Sequence, residues 1–219
     1  MSCDSQTTRL IAIRHGETAW NLASRLQGHV DIGLNETGRM QASRLARAMT
    51  GERLDAVYSS DLARAWDTAR ALAEHVGLEV RTHNGLRERS FGVFEGLTYA
   101  EIERRFPDQA RRLHQRETSF GPDGGETLQA FHERSVGTVT ALAAQHRGQH
   151  IAIVTHGGVL DALYRAASRV ALDAPRTWQL GNAHINRLLA SDTGFVLVGW
   201  ADSLHLEDPA LDETIEATS

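Results

Sequence analysis

Lysine is absent from this sequence, and all 23 basic residues are arginines. The absence excludes a P-loop lysine on a phosphate and a lysine that forms a Schiff base. The single cysteine, Cys3, excludes an intramolecular disulfide, a CxxC redox pair and a zinc site built from several cysteines. Genome composition explains most of an all-arginine surface, but arginine also binds phosphate or carboxylate bidentately, which lysine does less well.

Long hydrophobic runs are also missing. No stretch approaches the roughly 18 apolar residues of a membrane-spanning helix, so no membrane partner is expected. The residues before Arg9 contain no apolar run of signal-peptide length, which predicts a cytoplasmic protein. The net charge is -5, and six of the 28 acids lie in residues 201–219, where there is no arginine. The remainder is about neutral, with 22 acids against 23 arginines, which argues against binding of nucleic acid.

The pattern of apolar residues predicts one domain over residues 1–219, with a core at about residues 9–200 and an acidic C-terminal tail. Short apolar runs predict strands at residues 10–13, 54–58, 78–82 and 151–154, and a hairpin of residues 185–190 and 195–200 at a sheet edge. Helical spacing predicts helices at residues 36–49, from the N-cap Ser60 to Gly77, from Thr98 to Pro107, at 127–146 and at 159–169. The alternation indicates an α/β fold, a single-domain three-layer sandwich with a mostly parallel central sheet and helices on both faces.

Two of the predicted strands end in a histidine–glycine turn. The strand at residues 10–13 leads to His15 and Gly16, and the strand at residues 151–154 leads to His156. A lone histidine at a strand end is more often structural than catalytic. Ligands bind beyond the carboxyl ends of such strands, however, and a neutral histidine is a nucleophile at cellular pH. The two turns together therefore indicate a site, and attack by His15 on phosphorus would give a phosphohistidine.

Charged residues that would serve this reaction lie nearby in the predicted fold. Arg14 precedes His15, and Arg64 lies on the first turn of a helix, where its guanidinium can reach the same anion. Glu88 is a candidate proton donor to the departing alkoxide. Taken singly, Arg64 is interpreted as a solvated helix arginine and Glu88 as a surface carboxylate.

Six ordered blocks connect these residues to a known family. The blocks are residues 13–18 (IRHGET), 25–28 (RLQG), 58–65 (YSSDLARA), 88–92 (ERSFG), 124–126 (GGE) and 155–158 (THGG). Over about residues 9–200 the chain resembles the histidine phosphatase superfamily, in its phosphoglycerate-mutase-like branch. The resemblance implies that His15 is the phosphorylated nucleophile and Glu88 the acid and base. It further implies that Arg14, Arg64 and His156 form the phosphate pocket. The residues implied to border this pocket or to bind the substrate are Asn21, Gln27, Gly28 and Gly157. Neither a metal nor a cofactor is implied.

The family contains mutases and phosphatases, and several departures from the mutase pattern favour a phosphatase. Phe91 stands where mutases have a tyrosine, and Gly158 stands where they have an asparagine. The segment 97–123 is short and lacks the lysine of the mutase insertion, and the pair Arg111 and Arg112 is expected to be solvated. The sequence therefore predicts a phosphomonoesterase that hydrolyses small phosphorylated metabolites, with phosphoglycerate mutase as the alternative.

Two interpretations from other classes of protein compete with that of a phosphatase. His15-Gly16-Glu17 fits half of a zinc deaminase signature, but the cysteine pair of the other half is absent. A catalytically inactive phosphate-binding module remains open, since only chemistry separates it from the enzyme. His184 is predicted to start a strand near the pocket rim. The hairpin at residues 185–200 leaves open a free edge or a homodimer contact.

Overall fold

The structure is a computed structural model, and it describes residues 6–207. Cys3 and most of the predicted acidic tail lie outside the described residues. Within the described range the chain forms one six-stranded sheet of order β3-β2-β4-β1-β5-β6. The strands are β1 (Thr8–Arg14), β2 (Ala56–Ser59), β3 (Val80–Thr82), β4 (His150–Thr155), β5 (Ile185–Ser191) and β6 (Gly194–Asp202).

The strand directions confirm the predicted sheet, which is mostly parallel and has a hairpin at one edge. Three pairings, β1 with β4, β4 with β2 and β2 with β3, are parallel. The hairpin of β5 and β6 is antiparallel and forms one edge of the sheet. The four parallel strands are joined through helical connections, because parallel neighbours cannot be linked by a tight turn.

Seven helices accompany the sheet in the described part of the chain. They are α1 (Ala19–Leu22), α2 (Glu36–Ala48), α3 (Ala63–Val76), α4 (Tyr99–Arg105), α5 (Pro107–His114), α6 (Leu128–Ala144) and α7 (Gly157–Ser168). Thr98 begins α4 with the predicted capping box, and Gly77 ends α3 in the left-handed conformation, with φ 71°. The prediction that Ser60 caps α3 is wrong. The cap residue is Leu62, and the first free N–H of the helix, on Ala63, is bound instead by Asp31 at 2.7 Å.

Two apolar layers cover the faces of the sheet. Alternate residues of β1 point to opposite faces: Leu10 packs in the core with α6 and α7, whereas Ile11 packs with α2 and α3. This arrangement confirms the three-layer α/β sandwich. Trp66, on α3, is 39% exposed and lies under the guanidinium of Arg70.

A third, smaller core lies apart from the sheet. Phe94, Ile102, Ala110 and Phe120 pack together where α4 and α5 meet the segments on either side of them. The sequence predicted one helix ending near Pro107, but Pro107 begins a second helix, a position that proline favours because it lacks an N–H. We call this α4–α5 unit the cap.

Candidate active site

The two histidine–glycine turns lie side by side at the carboxyl ends of β1 and β4. Arg14 is paired in register with Thr155, and the N–H of His15 donates to the carbonyl oxygen of Thr155 at 2.9 Å. The imidazole rings of His15 and His156 are therefore close, with centroids 5.1 Å apart and planes inclined at 59°. Both side chains are buried. Parallel pairing of β1 with β4 is thus what brings two histidines, 141 positions apart in the sequence, into one site.

His15 is held in one tautomer. Its Nδ1 lies 2.7 Å from the carbonyl oxygen of Gly16, which accepts a hydrogen bond, so Nδ1 carries the proton and Nε2 keeps a lone pair. The turn is itself fixed, since the N–H of Gly16 donates to Thr68 and a Cβ on Gly16 would lie 2.6 Å from the carbonyl oxygen of Gly38. Burial, followed by the charges of Arg14 and Arg64, lowers the pKa of His15 well below its usual value.

His156 begins α7 as its N-cap residue and has a different role in the geometry. Neither of its ring nitrogens has a hydrogen-bond partner among the described residues, although the side chain is fully buried. Burial, and then the charges of Arg64, His15 and Arg14, lower the pKa of His156 well below 6.5. Buried polar atoms are almost always paired in native proteins, so the unpaired nitrogens indicate the position of a ligand.

Arg14 and Arg64 are fixed by backbone carbonyls instead of carboxylates. Arg64 is completely buried and donates to the carbonyls of Val30 at 2.9 Å and Gly28 at 2.8 Å. Arg14 donates to the carbonyl of Leu180. The Nε of each guanidinium has no partner in the described structure. Burial lowers the pKa of Arg64 to about 10, so the side chain remains charged at neutral pH. Arg64 is buried and Arg14 is half-buried, and neither forms an ion pair within residues 6–207, so the two cations favour a dianion between them.

The carboxylate of Glu88 contacts the first turn of α7, close to the turn between β4 and α7. Its Oε1 accepts from the N–H of Arg89 at 2.8 Å, and its Oε2 accepts from the N–H of Gly158 at 3.0 Å. A Cβ on Gly158 would overlap Oε1 of Glu88. The missing side chain at position 158 is therefore what allows the carboxylate to reach this turn.

The remaining predicted site residues surround the same cavity. Asn21 forms a capping box with Thr18 at the start of α1, and Gln27 is buried with an unpaired Oε1. Gly28 has φ +52°, a conformation that favours glycine. Of the nine predicted site residues, the cavity is lined by all but His156, which lies beside His15. The eight lining residues are Arg14, His15, Asn21, Gln27, Gly28, Arg64, Glu88 and Gly157.

The cavity, of about 960 Å³, is larger than the predicted residues enclose. One wall is the cap, which contributes Tyr99 and Phe120, and another is the loop from α7 to β5, which contributes Arg176 and Trp178. The lining residues of the two walls were not predicted from the sequence, because loop positions carry no periodic pattern and helical periodicity does not report how the cap packs. His184 lines the cavity next to this loop, which confirms its place at the rim.

The arginine pair expected to be solvated divides between two environments. Arg111 is 61% exposed and pairs with Asp108 on the outside of α5. Arg112 is 48% exposed, so the prediction of solvation is confirmed for both residues; Arg112 also lines the cavity, and its guanidinium binds both carboxylate oxygens of Glu117 at 2.7 and 2.6 Å.

Neither a metal centre nor a membrane segment is found within residues 6–207. In that range no group of three or more histidine, cysteine, aspartate or glutamate side chains is arranged to hold a metal ion. No helix in the same range is long and apolar enough to cross a membrane.

Two buried histidines lie with two carbonyl-held arginines at the ends of parallel strands, and this arrangement has the charge and the unpaired polar atoms to hold an anion. The model of the histidine phosphatase superfamily, branch 1, matches residues 10–203, and the chain belongs to this superfamily. The predicted family resemblance is therefore confirmed.

Similar proteins include some that are named mutase-like and some that are named phosphatases. The chain is 37% identical over 210 residues to phosphoglycerate mutase-like protein 4 of Arabidopsis thaliana, covering 94% of this chain and 90% of that protein. It is 35% identical over 206 residues to the metal-independent phosphoserine phosphatase of the same plant, covering 93% and 85%. The solved structure of mycobacterial glucosyl-3-phosphoglycerate phosphatase with VO3 has a TM-score of 0.79 and 35% identity, covering 89% of this chain and 99% of that one.

Proposed function

We propose that this chain is a metal-independent phosphomonoesterase of small phosphorylated metabolites, which works through a phosphohistidine at Nε2 of His15. The observation that carries the proposal is the hydrogen bond from Nδ1 of His15 to the carbonyl of Gly16. It leaves Nε2 unprotonated, and the lowered pKa keeps the ring neutral at cellular pH. Two similar proteins are named as phosphatases of phosphoserine and of glucosyl-3-phosphoglycerate, both small phosphate esters, and this supports the substrate class.

The phosphoryl oxygens are bound by the groups that lack hydrogen-bond partners among residues 6–207. The Nε atoms of Arg14 and Arg64 and the ring of His156 are the unpaired donors beside His15. The N-terminus of α7, which starts at Gly157, adds a partial positive charge at the same place. Fixed donors of this kind stabilise the charge that develops on a phosphoryl group in the transition state.

Protons are carried by Glu88. In the first step Nε2 of His15 bonds to phosphorus, the bond from phosphorus to the ester oxygen breaks, and protonated Glu88 gives its proton to that oxygen. In the second step water attacks the phosphohistidine, its proton passes to Glu88, and the bond from nitrogen to phosphorus breaks. The products are an alcohol and inorganic phosphate, and both His15 and Glu88 return to their starting states.

Hydrolysis is favoured over mutase chemistry by the state of the cavity arginines. Arg112, one of the two adjacent arginines in the segment 97–123, is paired with the carboxylate of Glu117. Because one similar protein is named mutase-like, the mutase alternative is tested directly. A mutase would require a bisphosphate primer and would interconvert phosphoglycerates faster than it releases inorganic phosphate.

The decisive experiment traps the intermediate. The wild-type protein is mixed with a 32P-labelled phosphomonoester, quenched in base, and analysed for an acid-labile adduct. We expect the adduct in the wild type and in His75→Ala, which removes an exposed histidine, and none in His15→Ala. Phosphate release with no adduct at early times, or an adduct that persists in His15→Ala, would contradict the proposal. Phosphate release that is lost in the presence of a chelator would contradict metal independence.

Expectations about the surroundings of the enzyme stay predictions. We propose that the enzyme is cytoplasmic and binds no membrane, because the sequence contains no long apolar run, and that it binds no nucleic acid, because its body is near neutral. The free edge of β6 in this chain leaves a homodimer open, which sedimentation of the full-length protein would test.

A further inference from the structure

Arg176 differs from the other arginines that line the cavity. It lies in the loop from α7 to β5, its side chain is exposed, and it lines the same cavity as His15. Between residues 6 and 207, the structure records no ion pair and no hydrogen bond to its guanidinium. The charge of Arg176 thus has no counter-ion in the described structure.

Every other lining arginine is engaged. Arg25, Arg112 and Arg116 pair with Glu101 at 2.9 Å, Glu117 at 2.6 Å and Asp161 at 2.8 Å. Arg14, Arg64 and Arg89 donate to backbone carbonyls. The cavity is lined by seven arginines and by three carboxylates, so it remains cationic beyond what one phosphate dianion neutralises.

The loop that bears Arg176 is anchored on both sides of it. Arg165 is 1% exposed and donates to the carbonyls of Ala171 and of Ala174, the latter at 2.9 Å. On the other side, the ring of Trp178 stacks on that of Tyr164 with centroids 4.0 Å apart. A guanidinium on such a fixed backbone loses less entropy when it binds an anion than one on a free loop.

Arg176 is also within electrostatic reach of the phosphate site. Burial is the main cause that lowers the pKa of Arg14, and the positive charge of Arg176 lowers it further. Arg14 adjoins His15, and Arg176 lines the same cavity, so one substrate molecule can carry both an anion bound by Arg176 and the phosphate beside His15.

We propose that Arg176 binds a carboxylate on the leaving-group side of the substrate, so that the enzyme prefers phosphate monoesters that carry a carboxylate. The planar fork of a guanidinium matches the two oxygens of a carboxylate. A single guanidinium without an acidic partner matches one negative charge. The inference rests on the proposed phosphatase activity and adds a residue that selects among its substrates.

The test compares two pairs of substrates that differ by the carboxylate. The pairs are O-phosphoserine with O-phosphoethanolamine, and 3-phosphoglycerate with glycerol 3-phosphate. The value of kcat/KM is measured for the wild type, for Arg176→Ala and for Arg47→Ala, which removes an exposed arginine of α2 away from the cavity. We expect Arg176→Ala to lose about tenfold on the carboxylated member of each pair and little on the other, mainly through KM. Arg47→Ala should match the wild type.

Two other results would overturn the inference. One is an equal loss on both members of each pair. The other is a loss confined to a bisphosphate, for example fructose 1,6-bisphosphate relative to fructose 6-phosphate, which would assign a second phosphate to Arg176. Both results leave the phosphatase intact. Failure of the proposed function itself is recognised differently, by absence of phosphate release from all substrates in the wild-type protein.

Discussion

The ring centroids of His15 and His156 lie 5.1 Å apart, yet only His15 has a hydrogen-bond partner for a ring nitrogen. This difference separates the two histidines chemically. The ring of His15 is oriented by the protein with one nitrogen free to attack, whereas the ring of His156 is left with two nitrogens for a ligand. Their neighbours Arg14 and Arg64 lower the pKa of both, in addition to burial.

Replacing His156 should impair catalysis without unfolding the protein. We expect His156→Ala to lower kcat by about 10²–10³-fold, because a fixed donor to the phosphoryl oxygens is removed. Steady-state phosphate release measures the loss. The His15 adduct should form more slowly in this variant, and an unchanged rate of adduct formation would contradict the assigned role.

The stability of the protein should fall as the solution becomes acidic. The pKa values of His15 and His156 are lowered in the folded state, whereas both are near 6.5 in the unfolded chain. Below about pH 6.5 the unfolded chain therefore binds protons that the folded state does not. Each histidine then lowers the free energy of unfolding by up to about 1.4 kcal/mol per pH unit until its folded pKa is reached.

Urea denaturation at pH 7.5 and pH 5.5 measures this effect. The double variant His15→Gln, His156→Gln should show a smaller difference between the two pH values than the wild type. Identical pH dependence in the two proteins would show that neither histidine is buried in its neutral form.

Gly158→Ala should separate proton transfer from phosphate binding. The new Cβ overlaps the carboxylate of Glu88, which is flexible enough to move away and lose its contact with the N–H of residue 158. We expect a loss of about 10²-fold in kcat/KM on an alkyl phosphate, because its leaving group needs the proton. On 2,4-dinitrophenyl phosphate, whose leaving group departs without a proton, kcat/KM should be unchanged. Glu88→Gln should show the same difference between the two substrates. An equal loss of kcat/KM on both substrates would contradict the role of Glu88 as the proton donor.

Arg165 should stabilise the protein far more than a surface arginine does. Its Nε bonds Asp161 at 2.9 Å in a buried position, and Asp161 also pairs with Arg116. Arg165→Leu leaves the carbonyls of Ala171 and Ala174 without their donor and removes one of the two cations paired with Asp161, so it should lower the free energy of unfolding by about 3 kcal/mol.

The matched control for Arg165 is Arg70→Leu. Arg70 pairs with Asp67 and Glu74 on the exposed face of α3. Its loss should change the free energy of unfolding by less than about 0.5 kcal/mol in the same urea titration. Equal effects of the two substitutions would contradict the anchoring role of Arg165.

Local patterns in the sequence predicted the sheet and the centre of the site but missed its walls. The apolar runs before His15 and His156 are short, and a glycine follows each run within three residues, so both strands and both turns were predicted from local sequence. The start of α3 was misplaced because its first N–H is bound by Asp31, a residue 32 positions away. Arg112 was predicted to be exposed and is, but its contact with the cavity was missed, because that contact depends on how the cap packs, which helical periodicity does not report.

The amino-acid sequence by itself determined the order of strands and helices, the turns that hold His15 and His156, and the membership of the family. These features depend on spacing and on residue type within a few positions. Tertiary structure alone decided which nitrogen of His15 is free, which arginines already have partners, and that Arg176 has none in the described range. Those properties arise from contacts between segments distant in the chain, and only the packed fold sets their distances.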